Sequence, residues 1–381
     1  MTTASVLLTV TTTWNLTSEK PEKTGKVGRS LQSIAAERVK ELRETPATRE
    51  QALRIMREWI QQNKDIRNVR QDESFLLRFL RHKKYSIPMA QQTLLKYLNL
   101  RQYYPEIFHP RLDCEDERVQ NMIQIGYVVV SPVRDSKGRR VIVYDMSKYN
   151  PSKMTCWDIC RVHCTIYESL LEDPIDQICG FTHVGSGGGV TGAHVTAWNP
   201  TDFARLMKWG EDRRNTCISR DPIDQICGVT HFGSGGEVSE THVTSWSPND
   251  LPRLMKWEEQ SLPMRHQEFH LINIPVAVKY VIDFAKSKVT PKMADRVYVH
   301  SNQSHLHKCL DPSCLPTVHG GKIPMHDMVA YTRQLLFDQR KNVCALNEME
   351  ILSTRGILSS RGKPLKDTGS VEGSFRKLEI D

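Results

Sequence analysis

Cys156, Cys160 and Cys164 fall at i, i+4 and i+8, with His163 beside the last of them. Thiolates and an imidazole are ligands for a soft or borderline metal. On a helix, however, these donors sit on consecutive turns about 6 Å apart and do not converge on one ion. They read instead as small thiols lining a core or pocket face. Cys179 with His183, repeated as Cys227 with His231, offers a second thiol–imidazole pair. On a strand, residues four apart point the same way but lie about 13 Å apart. The sequence therefore predicts no metal site and no cofactor.

Gly187 to Gly192 has the G-x-G-x-x-G spacing that lets backbone N–H groups approach a pyrophosphate. Such a motif needs a helix opening on its last glycine, but His194-Val-Thr-Ala intervenes, and a second version of the segment carries Glu237 and Glu240 in place of glycines. It reads as a flexible turn. No Ser-His-Asp, G-x-S-x-G or paired-carboxylate arrangement stands out, so no catalytic residue is nominated and a non-enzymatic role is expected.

Two other features carry more weight. Val276 to Ala285 is apolar on nearly all sides, so as a helix it must be covered on both faces. It either lies between a sheet and another helix or forms a gate with one face on an apolar ligand. Its gate-facing candidates are Val278, Val281, Ile282 and Phe284. The second feature is basic: Lys292 and Arg296 at i, i+4, Arg265 ahead of a strand, and Lys83 within Arg81-His-Lys-Lys84. Together they would make a phosphate-binding rim, each cation contributing about 1 kcal/mol near an anionic bilayer before screening. A surplus of 52 Lys and Arg over 44 Asp and Glu favours anionic partners and is too mild to point to nucleic acid.

The elements that would position these residues can be read from capping and periodicity. Residues 1–45 read as a flexible polar arm leading into a first helix. Thr45-Pro46 supplies an N-cap and first helical residue for a helix to Gln62, and Asp72-Glu73 opens another bearing Phe75, Leu76, Phe79 and Leu80, with Arg78 and Arg81 off the apolar stripe. A third helix over Met89 to Tyr104 completes a helical module at 46–105. From Tyr127 the period changes. Tyr127 to Val133 and Arg140 to Asp145 predict a hairpin turning at Asp135-Ser-Lys-Gly138. A helix over Cys156 to Glu172, a strand over Gln177 to Val184, and further alternation to His300 predict an α/β sheet with parallel crossovers at 117–325. Residues 326–381 read as a helix near Met325 to Arg340 and a mobile polar tail.

Within that domain, 173–211 and 221–259 align without gaps at an offset of 48, with 27 identities in 39 positions. Two copies are too few for a solenoid. A tandem duplication fits, and the hydrophilic junction 212–220 suggests two alternative exons translated together. Pro252 falls about five residues into the second copy's helix, removing an intrahelical bond, so the first copy should pack better.

No run of about 18 apolar residues occurs, the opening residues lack a basic n-region, and ten cysteines are dispersed. A cytosolic protein with reduced thiols is expected, leaving the sequon at Asn15 idle.

Over about residues 45–325 the chain resembles the CRAL-TRIO lipid-transfer family, in its α-tocopherol transfer protein-related branch. The marks are Asp72-Glu-Ser-Phe-Leu-Leu-Arg-Phe-Leu-Arg81, Gly126-Tyr127, Leu262-Pro-Met-Arg265 before His270-Leu-Ile-Asn273, Leu315-Pro316 and Gly320-Gly321. The resemblance implies a small helical module followed by an α/β domain, with a sheet floored by helices, an apolar cavity and a mobile gate. It implies a carrier of a tocopherol, retinoid or phospholipid-like ligand that works at membranes containing phosphoinositides, endosomal or otherwise. Lys83, Arg265, Lys292 and Arg296 match the phosphoinositide cleft, where one further basic position is occupied here by Gln267. Cys160, His163, Tyr167 and Val195 match the pocket lining. A lipid-sensing adaptor built on the same fold is the alternative. The family pattern has one strand–helix unit where this chain has two.

Overall fold

A computed structural model describes residues 30–150, 152–188, 263–274 and 291–357, with positions 279, 282, 283, 286 and 287 between the last two spans. The first helix, α1 (Leu31–Glu41), lies inside the stretch read as a flexible arm. Ile34, Ala35 and Leu42 bury against Ile175, Ile178 and Cys179, which is what fixes it in place. Thr45 caps α2 (Pro46–Gln62) through the Thr48 amide, and Asp72 caps α3 (Glu73–His82) through the Phe75 amide. Between them lies a two-residue strand, β1 (Ile66–Arg67). Helices α4 (Ile87–Tyr103), α5 (Pro105–Phe108) and α6 (Glu117–Gln124) complete the N-terminal layer.

The sheet begins with the hairpin β2 (Val128–Val130) and β3 (Arg140–Asp145), antiparallel as the turn composition predicts. Helix α7 (Cys156–Leu170) starts at a capping box in which Thr155 and Asp158 satisfy each other's backbone amides. A short helix α8 (Pro174–Cys179) then leads into β4 (Phe181–Ser186). Strand β5 (His266–Ile272), helix α9 (Pro291–Ala294) and strand β6 (Val297–His300) follow, and the order is β2-β3-β4-β5-β6, with β3 to β6 mutually parallel. Helix α10 (Gln303–Cys309) covers β5 and β6, and α11 (Met325–Ala345) packs on α7 and β2.

Three local readings change. Gln177 to Cys179 is helical, because Asp173 caps and Pro174 opens a turn that Gly180 ends at φ +80°. A Cβ at position 180 would run into the Arg265 carbonyl oxygen, so β4 and the start of β5 approach as only glycine allows. The long helix runs five residues beyond Arg340, and the chain past it is not all tail: β7 (Glu350–Ile351) pairs with β1. Finally, Arg78 and Arg81 are fully buried despite lying off the apolar stripe. Arg78 reaches Glu168 at 2.7 Å and Glu172 at 2.5 Å on the far side of the module boundary, and Arg81 pairs with Glu44 at 3.0 Å while donating to Gln177. Arg134 and Arg140 both meet Asp173 and Asp176. Burying these cations is tolerable because each meets carboxylates in hydrogen-bonding geometry.

Candidate functional site

Residues Cys160, His163 and Tyr167 recur on one side of α7, and that side faces the sheet. His163 and Tyr167 are buried and Cys160 is half-buried. Opposite them stand Tyr127, Tyr144, His183, His266 and Phe269. The Tyr144 hydroxyl is 3.0 Å from that of Tyr167 and 2.7 Å from His183 Nδ1, and His183 Nε2 is 2.5 Å from His266 Nδ1. His183 also stacks on Phe269 with ring centres 4.7 Å apart.

His266 reaches this wall because of a register shift. Phe181 pairs with His266 while Thr182 pairs with Glu268, so Gln267 is an extra residue in β5. A bulge of one residue turns the strand over, so His266 and Phe269, three apart, share a face. Simple alternation puts them on opposite faces, which is why His266 was not singled out from sequence, and His183 was considered there only as the partner of Cys179.

The wall is electrically neutral at pH 7. Burial pushes His163 and His266 down to about 3, the Arg296 charge adding to the shift at His266, and burial holds His183 well below the ordinary imidazole range. An aromatic, uncharged surface with a few hydrogen-bonding rings suits an apolar molecule with a single polar end.

The basic residues come together at one end of the sheet. Lys83 is the C-cap of α3, Arg265 precedes β5 and Arg296 precedes β6. Burial, followed by the charges of Lys83 and Arg265, holds His82 well below its usual range, so these cations crowd one imidazole from two elements. Burial first, and then the charges of Arg38 and Arg296, push Arg265 down to about 10. Arg265 donates to the Ile178 carbonyl and Arg296 to the His266 carbonyl. Gln267 is the extra residue of the β5 bulge.

Lys292 lies in α9, its side chain outside the described residues. Of the gate positions, Ile282 is helical and buried, whereas Val278, Val281 and Phe284, together with Val195 of the pocket set and Gly189 to Gly192 of the glycine-rich turn, lie outside the described residues. A separate cavity of about 430 Å³, among Arg101, Phe108, His109 and Met349 to Leu352, shares none of these residues.

Residues 215–321 match the family model for the CRAL/TRIO domain, and 45–119 match that for the Pinta-like UBA domain. The fold is of CRAL/TRIO type. The chain is similar to Clavesin-1 of Xenopus laevis, 25% identical over 297 residues that cover 78% of this chain and 75% of that protein. Clavesin-2 of Homo sapiens is 23% identical over a stretch of the same length, covering 78% and 76%. Among solved structures, the crystal structure of Sfh5 aligns at 11% identity and a TM-score of 0.39, covering 79% of this chain and 98% of that one. The CRAL/TRIO match begins in the junction between the two copies and so runs through the second copy, whereas β4 in the sheet comes from the first. Among the described residues no helix is long and apolar enough to cross a membrane.

Proposed function

We propose that this protein is a non-enzymatic carrier that holds a hydrophobic ligand in an internal pocket and exchanges it at phosphoinositide-containing membranes. The CRAL/TRIO match supports lipid binding and transfer in general terms. The observation that carries the finer reading is the convergence of Lys83, Arg265 and Arg296, from three distant parts of the chain, on one end of the sheet, with Arg265 driven down to about 10 by burial and its cationic neighbours. A polyanionic head group would neutralise that crowding and gain charge-assisted hydrogen bonds.

The neutral wall of His163, Tyr167, Tyr144, His183 and Phe269 supports an apolar cargo with a hydroxyl or ester end, of the tocopherol, retinoid or phospholipid-like class. Capture needs no covalent step. The ligand leaves water for an apolar surface, the segment at 276–285 covers it, and head-group binding at the rim favours the open form at the membrane. The work is then done in the cytoplasm and, peripherally, on intracellular membranes such as endosomes.

The test is a Lys292→Ala, Arg296→Ala double variant. It is expected to lose flotation with phosphatidylinositol bisphosphate liposomes while lipid extracted from the purified protein, read by mass spectrometry, is unchanged. Unaltered flotation would sink the rim. Flotation without ligand transfer between vesicles would favour the adaptor.

A further inference from the structure

The face of the sheet turned away from α7 carries a second pair of histidines with different surroundings. His270 on β5 and His300 at the end of β6 stack, with Nδ1 of the first 2.9 Å from Nε2 of the second. Cys309, at the C-terminus of α10, comes over them from the covering helix. The donor atoms of His270, His300 and Cys309 all lie within 4.8 Å of one another.

We propose that His270, His300 and Cys309 form a binding site for a zinc-class divalent cation that pins α10 to the edge of the sheet. Two imidazole nitrogens and one thiolate are the donor set of a borderline-soft ion, and carboxylate-preferring magnesium or calcium would find too few oxygens here. Tetrahedral coordination at about 2.0–2.1 Å to nitrogen and about 2.3 Å to sulfur places donors roughly 3.3–3.6 Å apart. The pair must therefore open slightly and the thiol must close in. Cys309 is exposed, so its side chain is free to rotate inward.

The support behind the ligands is already built. His270 Nε2 faces Glu268 Oε2 at 3.4 Å, the carboxylate–histidine arrangement that fixes a ligand's tautomer and raises its basicity. Glu268 is itself held by Arg139 and Lys137, both at 2.7 Å, and Arg139 by Asp135 at 2.6 Å. Glu268 is thus ion-paired to two cations. It is a fixed anion behind the site.

With the His270 hydrogen on Nε2 toward Glu268, its Nδ1 lone pair is available. His300 binds through Nε2 once its hydrogen moves to Nδ1, and the Cys309 thiol proton leaves to solvent. A fourth donor stands close by. His305 precedes Cys309 by one helical turn, and its Nδ1 is 2.8 Å from Ser301 Oγ, so Nε2 is the nitrogen left to turn toward the ion. Sequence spacing alone did not reveal the site, because its first ligand lies thirty residues upstream of the second, on another strand. His300-x4-His305-x3-Cys309 is the legible part.

The test uses the full chain, stripped with chelator, kept under a non-thiol reductant and titrated with Co(II). One equivalent should produce the charge-transfer band of a thiolate–Co(II) complex, displaced by Zn(II). Cys309→Ser should abolish that band with the circular dichroism spectrum unchanged. Glu268→Gln, which leaves every ligand in place, should weaken Zn(II) binding by about 10–100-fold. No band in the native chain, or a band that Cys309→Ser retains, would overturn the site.

Discussion

The two histidine pairs sit on opposite faces of one sheet, their β5 members four residues apart, and their surroundings differ. His183 and His266 are closed in by Tyr144, Tyr167 and Phe269, and their ring nitrogens meet one another or a tyrosine hydroxyl. His270 and His300 have a salt-bridged carboxylate behind them and an exposed thiol in front. The lesson is that an imidazole pair takes its character from what lies one shell out. Aromatic walls keep it neutral; a fixed anion and a movable thiolate suit it to the ligand set proposed above.

That contrast can be broken most severely by charge. His266→Asp places a carboxylate in the sealed wall and is expected to cost about 3–5 kcal/mol in urea unfolding. His300→Asp, close to the surface and to α10, should cost less than half of that. Equal losses would mean the two faces do not differ.

Acid sharpens the contrast next. Unfolded imidazoles bind protons near 6.5, whereas His163 and His266 stay neutral when folded down to about 3 and His183 is shifted in the same direction. The unfolded state therefore takes up protons first, and stability falls as pH drops from about 6.5 toward 3. Each of the three contributes about 1.4 kcal/mol per pH unit through the middle of that window, so urea midpoints at pH 7 and pH 5 should differ strongly. His163→Phe should flatten the slope by about one proton. The smallest effect is expected of Tyr144→Phe. It removes the hydroxyl between Tyr167 and His183 and should cost about 1–2 kcal/mol with Zn(II) affinity unchanged.

Much of this architecture is legible in the residues. Thr45-Pro46 and Asp72 cap the helices they announce, Asp135 to Gly138 turns the hairpin, and Cys160, His163 and Tyr167 share a helix face that meets the sheet. What escaped notice depends on distant partners. Periodicity places Arg78 and Arg81 off the apolar stripe, and Glu168, Glu172, Glu44 and Gln177, folded against them, account for their burial. The wall lost His266 to a bulge of one residue, which inverts the alternation on which a strand reading rests. The docking of α1 needed apolar residues of α8 that lie about 140 positions away.

The contacts that seat β4 also bear on the duplication. Asp173 and Asp176 hold Arg134 and Arg140, Gln177 holds Arg81, Gly180 admits the Arg265 carbonyl, Thr182 donates to Asp135, and His183 joins the wall. Forty-eight positions on, Asp221, Asp224, Gln225, Gly228, Thr230 and His231 repeat all six, while Val229 and Phe232 exchange the places of Phe181 and Val184. A transcript shortened by either unit would still encode the same polar complement for that berth. Loss of either unit would therefore shorten the chain while keeping the polar residues that seat its central strand.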